Sequence, residues 1–242
     1  PGETLKGLVD RVGGFTPQAY VYGLEFSREE TRRRQRESLA AAIARLEALS
    51  ATQAARDAAN RRDDVSAAST AAVSSAVSQA QLARLARLEP NGRIALELAP
   101  GVKNLDGLPD VPLDHADRIS VPTRPAFVTV AGAVANSNAF LWKPDRTAGN
   151  YLKLAGVEES ADTSNTFILR ADGTINSAAG KGGFWSSNPI EGEVLQPGDA
   201  VIVPNQLDFE TWGRALVRNL KDWTQIFAQF GLGIAAIDSL KK

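Results

Sequence analysis

Apolar and polar positions repeat in the same order at two places in the chain. Leu5, Leu8, Val9 and Val12 recur at helical spacing, as do Tyr151, Leu152 and Ala155. Thr4 and Thr147 stand where a helix N-cap is needed, because a threonine hydroxyl satisfies an orphan N–H of the first turn. Gly13 and Gly156 follow as stops, where a left-handed backbone costs glycine little. A β-rich run comes next in each copy, 20–26 in one and 166–169 in the other.

The two copies align further. Thr4 meets Thr147 and Gly13 meets Gly156. After a one-residue gap Ala19 meets Ala161, Phe26 meets Ile168, and Arg28 meets Arg170. The stretch 117–122 (Asp-Arg-Ile-Ser-Val-Pro) parallels 199–204 (Asp-Ala-Val-Ile-Val-Pro), each a short strand stopped by proline. The second copy opens with two alternating runs, 127–134 and 139–142. Asn136-Ser-Asn138 separates them, so they read as a hairpin with asparagine at positive φ in the turn. Strand, strand, helix, strands and a closing strand is the order of a β-grasp, with one helix covering one face of a small mixed sheet.

The expected class is therefore α+β. Its parts are a first β-grasp module over 1–122, a second over 123–204, and a helix over 205–242. The first copy shows no hairpin ahead of its helix, so it reads as an N-terminally incomplete module. Its sheet edge and apolar helix face are expected to lie uncovered.

A long polar, alanine-rich stretch, about 29–89, interrupts the first module before a strand expected at 92–98. Ser27 with Glu30 has the spacing of a capping box, and Leu39, Ile43 and Leu46 form a stripe. The polar run 56–64 reads as a reversal. Two antiparallel arms of roughly 25 residues would each reach about 35–40 Å. Such an arm either touches a neighbouring subunit or packs on its own domain. Arg32, Arg33 and Arg34 sit among Glu29, Glu30 and Glu37, the pattern of a solvated charged face.

Between 208 and 240, Trp212, Leu216, Leu220, Trp223, Phe227, Phe230, Ile234 and Ile237 recur in steps of three or four, one apolar seam on a helix. Its most apolar part is shorter than the about 20 residues a lone spanning helix needs. The seam therefore faces either lipid in a multi-subunit barrel or another protein surface.

Composition narrows the chemistry. The chain has 242 residues, with 27 Lys+Arg against 28 Asp+Glu. That balance argues against a general nucleic-acid binder. With no cysteine and a single histidine, His115, disulfides and thiolate zinc sites are excluded, and a serine–histidine triad would have to use that one ring. Gly180-Lys-Gly-Gly183 lacks the phosphate-loop spacing, and Asp106, Asp110, Asp114 and Asp117 are interleaved with prolines in a connecting loop. Asp162 and Asp172 have no spacing that pairs them. Trp185, in a Gly/Ser-rich loop, either contacts a polymer or neighbour or plugs the edge of its own core. No catalytic signature emerges, and no cofactor is expected.

Taken together, these motifs resemble bacterial outer-membrane polysaccharide export proteins with SLBB (soluble-ligand-binding β-grasp) domains. Pro1-Gly-Glu-Thr-Leu5, Val12-Gly-Gly-Phe-Thr-Pro-Gln-Ala19 and Phe26-Ser-Arg-Glu29 are similar to a module's ending. Val128 to Val134, Tyr151-Leu-Lys-Leu-Ala-Gly156 and Arg170-Ala-Asp-Gly173 look like the start and middle of the next module, and 195–204 like its close. The segment 219–230 resembles the helix that follows. His115-Ala116 departs from a Gly-Asp-type lead-in, and Val157 from a second glycine. The resemblance implies a non-enzymatic, periplasmic, outer-membrane-associated translocon. In it a homo-oligomeric ring conducts polysaccharide, contacts inner-membrane export machinery, and reaches the outer membrane through its terminal helices. The alternative is a soluble carbohydrate-binding module of the cell envelope.

Overall fold

The computed structural model of the chain describes residues 2–60, 83, 86–177 and 190–204, and within them the fold is α+β, with three helices and two sheets. The helices are α1 (Leu5–Arg11), α2 (Glu29–Asn60) and α3 (Ala148–Ala155). The first sheet has the order β2-β1-β3, with β1 at Glu25–Ser27, β2 at Arg93–Ile94 and β3 at Arg118–Ser120. The second has the order β5-β4-β8-β6-β7. Its strands are β4 (Phe127–Gly132), β5 (Asn138–Leu141), β6 (Phe167–Leu169), β7 (Ile175–Ser177) and β8 (Ala200–Val203).

In the second sheet β4 and β5 form the expected antiparallel hairpin, Val128 opposite Phe140. β4 then runs parallel to β8, Val130 opposite Val201, and β8 is antiparallel to β6. Gly132 ends β4 at φ +105°, and a Cβ there would lie 1.9 Å from the Val203 carbonyl oxygen, so only glycine fits. The hairpin turn differs from expectation. Asn136 and Asn138 do not take positive φ. Instead, Ala135 and Asn136 donate their N–H groups to the Gly156 and Ala155 carbonyls at the end of α3. One face of α3 buries Tyr151, Leu152 and Ala155 against Val128, Val130, Ile168 and Val201. Thr147 caps this helix, its N–H donating to Asn150 Oδ1 at 3.1 Å.

The first sheet repeats the pattern of β6, β7 and β8. Phe26 of β1 lies between Ile94 and Ile119, as Ile168 of β6 lies between Asn176 and Val201. The alignment of the two copies extends to single hydrogen bonds. Leu5 N–H donates to the Val111 carbonyl and Ala148 N–H to the Glu193 carbonyl, both at 2.8 Å. Tyr20 N–H donates to Pro122 and Asp162 N–H to Pro204, again both at 2.8 Å. Thr4 bridges Pro112 as Thr147 bridges Val194.

Four expectations for the first copy are corrected. Most of the apolar face of α1 is covered: Leu5 and Val9 are buried with Phe26, Leu96, Leu98 and Leu108, while Val12 at its end stays exposed. The strand expected at 92–98 is only Arg93–Ile94, because Leu96 and Leu98 turn inward to this core. Ser27 does not open a capping box. It is the last residue of β1, paired with Arg93 and Arg118, and α2 starts at Glu29. α2 runs unbroken for 32 residues, about 48 Å, so 56–60 are helical where the reversal was expected to begin, and 61–64 lie outside the described residues. Gln35 anchors the base of α2, accepting from Gly92 N–H at 3.0 Å and donating to the Arg93 carbonyl at 3.3 Å. Among the described residues β3 pairs with β1 alone, whereas β8 has two neighbours.

Candidate functional site

Each copy closes on an arginine–aspartate latch at matching positions. Arg28, just past β1, donates from Nε and Nη2 to Asp117 at 2.9 and 2.8 Å, and from Nη2 to the Pro112 carbonyl at 2.9 Å. Arg170, just past β6, donates from Nη1 to Asp199 and to the Val194 carbonyl, both at 2.9 Å. Both aspartates also close the turn that leads into their strand, accepting at 2.8 Å from Asp114 N–H or Gln196 N–H. Asp114 and Glu193 bind the free ends of the two guanidinium groups.

The copies differ in environment. The Arg28 side chain is 21% exposed and Asp117 3%, against 14% for Arg170 and none for Asp199. The Arg28 hydrogen bond holds the Asp117 carboxyl below the usual carboxylate range, more than offsetting its burial. Burial instead pushes Asp199 up, against the Gln196 and Ala171 N–H groups and Arg170. Burial also works against the charge of Arg170, yet Asp199, Tyr22 and Glu193 leave it above the ordinary guanidinium value. The partners respond differently because Asp199 is the more deeply enclosed of the two.

The second latch faces a junction between the copies. Tyr20 Oη donates to the Pro197 carbonyl at 2.8 Å, Leu98 N–H donates to Asp172 Oδ2 at 3.1 Å, and Arg93 Nη2 donates to the Ala171 carbonyl. Ala171 packs against the first core. Arg93 is 7% exposed, and burial lowers its pKa, with Glu25 and Asp172 opposing. Tyr20 and Tyr22 stack edge to face, 5.9 Å between centroids, and burial followed by Asp199 pushes both hydroxyls up. At this junction a cleft of about 660 Å³ is lined by Tyr22, Glu97, Leu98, Arg170, Asp172 and Glu193. Its carboxylates outnumber its one arginine, which is already paired. The arrangement suits holding the copies at a fixed angle and offering polar groups to a neutral or cationic partner.

The remaining predicted residues are distributed as follows. His115 is exposed on the turn between Asp114 and Asp117, and those two aspartates serve Arg28 rather than a metal. Among the described residues no cluster of three metal-ligating side chains occurs. Asp162 caps a short 3-10 turn by accepting from Asn165, while Asp172 accepts from Leu98 and Thr174, so the two serve separate turns. Trp142 follows β5, its Nε1–H donating to the Leu195 carbonyl at 2.8 Å and Arg124 lying over its ring. Trp185, the 180–183 glycine run and the whole seam Trp212, Leu216, Leu220, Trp223, Phe227, Phe230, Ile234 and Ile237 lie outside the described residues. Among the described residues no helix is long and apolar enough to cross a membrane.

The latches were missed by sequence reasoning, although the alignment already placed Arg28 on Arg170 and Asp117 on Asp199. A charge pair conserved in both copies of an internal repeat was the available signal. No family model and no curated protein matches the chain.

Proposed function

We propose that this chain is a non-enzymatic component of a polysaccharide-export translocon, in which two SLBB-type β-grasp modules build a ring conduit in the periplasm. The terminal helix would associate with the outer membrane, and inner-membrane machinery would drive the polymer. The observation that carries the reading is the repeat itself. Two copies share strand register, caps and an arginine–aspartate latch, and hydrogen bonds from Tyr20, Arg93 and Leu98 of one reach Pro197, Ala171 and Asp172 of the other. Such a pair is a rigid building block, and conduction of a polymer needs rigidity and symmetry rather than a reacting group. The β-grasp assignment is supported by the second sheet, where the first and last strands run parallel at the centre and one helix crosses one face. The export assignment rests on the ordered motifs described above.

Electron microscopy of the full-length protein in detergent tests the proposal, with closed rings as the expected result. A monomer under every condition overturns it. Deleting the chain from residue 208 onward is expected to abolish surface polysaccharide while the second unit remains folded, checked by capsule staining and by the far-UV spectrum of the truncated protein.

A second reading, a soluble carbohydrate-binding module of the cell envelope, is favoured by one observation. The second unit contains a partly enclosed cavity of about 260 Å³ whose lining mixes the apolar Leu152 and Val203 with the polar Lys153, Thr163 and Glu191.

A further inference from the structure

The hairpin β4–β5 closes the second unit through backbone groups that the first copy also has. Thr129 and Ala133 donate their N–H groups to the Asp199 and Val203 carbonyls, at 3.0 and 2.8 Å. Ala135 and Asn136 donate theirs to the Gly156 and Ala155 carbonyls at the end of α3, at 2.7 and 2.9 Å. The internal repeat places Asp117, Val121, Gly13 and Val12 at these four acceptors. Among the described residues, no donor reaches any of those four carbonyls in the first copy.

The side chains around them differ in the same way. Tyr151, Ala155, Val201 and Val203 are buried in the core that the hairpin helps to close. Their counterparts Leu8, Ile119 and Val121 are partly exposed, and Val12 is 69% exposed where Ala155 is 2%. The first copy thus keeps a seat for a β-hairpin, running from the open edge of β3 to the end of α1. An open strand edge accepts an added strand through main-chain hydrogen bonds, and the neighbouring side chains make it selective.

We infer that this seat is a docking site for a β-hairpin donated by a different polypeptide, with one strand running parallel to β3. Such docking goes beyond the export reading and is independent of ring formation. A second copy of this chain is a poor donor. Lending its own hairpin would uncover β8 and gain no net pairing. Its free edge at β5 is blunted, since Ala139 N–H is already held by Asn138 Oδ1 at 2.8 Å.

The second unit also defines the chemistry of the donated strand. At the places of Val128 and Val130 it needs apolar residues, which complete the core around Phe26 and Ile119. At the place of Gly132 it needs glycine, because a Cβ would strike the Val121 carbonyl as it would strike that of Val203. The place of Thr129 lies beside Ala200, whose counterpart is Arg118. Arg118 is exposed and joins no ion pair among the described residues, so an acidic residue at that place completes the fit.

The test titrates the full-length protein with a synthetic peptide copying residues 126–142, read by amide chemical shifts and exchange. Saturation with a Kd of roughly 10–100 µM is expected, mapped to residues 8–14 and 117–121. Amide exchange at 119–121 should be fast in the free protein and slow once the peptide is bound. Gly132→Val in the peptide should abolish binding, and Thr129→Glu in the peptide should tighten it about two- to fivefold. Arg118→Glu in the protein should cancel that gain. Val12→Lys, at a position exposed in the free protein, should weaken binding about tenfold without changing Tm, which separates docking from folding. Exchange at 119–121 already as slow as at 201–203 in the free protein means that the chain itself fills the seat, and overturns donation by a partner. No binding at ~1 mM peptide, or binding that maps to 199–203 or survives Gly132→Val, overturns the seat.

Discussion

The two latches are drawn to one plan and placed in different dielectric surroundings. Arg28–Asp117 sits at the rim of the first copy, where the carboxyl gains more from its guanidinium than it loses by burial. Arg170–Asp199 sits where the copies meet, and there burial of Asp199 outweighs the donors around it. The same pair therefore contributes to stability at the rim and serves geometry at the junction. A buried ion pair is costly to assemble yet damaging to break, because the surviving charge has no water to return to.

The largest break in this comparison should come from Asp199→Ala. It leaves the buried Arg170 with only Glu193 and the Val194 carbonyl and strands two backbone N–H groups, and about 3–5 kcal/mol of stability should be lost in urea unfolding. Asp117→Ala should cost less, about 1–2 kcal/mol, since Arg28 keeps Asp114 and access to water. Tyr20→Phe, which leaves the Pro197 carbonyl without its donor, should cost about 1 kcal/mol and loosen the junction, read as faster amide exchange at Leu98 and Ala171.

Acidification should then separate the copies by sign. Asp117 has a lowered folded pKa, so its contribution is fully present above the ordinary carboxylate value of about 4 and is lost as pH falls through the folded value. Asp199 has a raised folded pKa, so folding takes up a proton just above that ordinary value. Its contribution is greatest in acid and declines as pH rises through the folded value. Unfolding midpoints should fall less steeply below about pH 4 for Asp117→Asn than for the native chain. For Asp199→Asn they should fall more steeply as pH comes down toward about 4 from above.

The smallest effect sharpens the same comparison. Gly198 precedes Asp199 at φ +83°, whereas Ala116 precedes Asp117 at φ +65°, a left-handed conformation that alanine adopts with strain. Ala116→Gly should raise the stability of the first copy by about 0.5–1 kcal/mol, checked by its urea midpoint.

What was legible in the sequence was whatever depends on neighbours along the chain. The caps at Thr4 and Thr147, the stops at Gly13 and Gly156, the β4–β5 hairpin and the repeat register are all local patterns, and the structure contains them. Contacts made between distant segments were not legible. Nothing near Leu96 or Leu98 says that they turn in to cover α1, and nothing near Ser27 says that pairing with Arg93 and Arg118 will outcompete a helix cap. The junction residues Tyr20, Arg93 and Asp172 look unremarkable singly, because their roles depend on where the second copy sits.

The parallel pairing of β4 with β8 has a consequence in time. Thr129 meets Ala200, so the two central strands of the second sheet come from opposite ends of that unit. Loop closure over such a separation slows folding and leaves the hairpin's inner edge open until the last strand arrives. During synthesis the β4–β5 hairpin and α3 would emerge first and wait, with Gly132 holding an empty slot against which the Val203 carbonyl later seats. Completion of this unit is thus timed by the ribosome reaching β8, and an unfinished chain would present the open inner edge of β4 to whatever lies nearby.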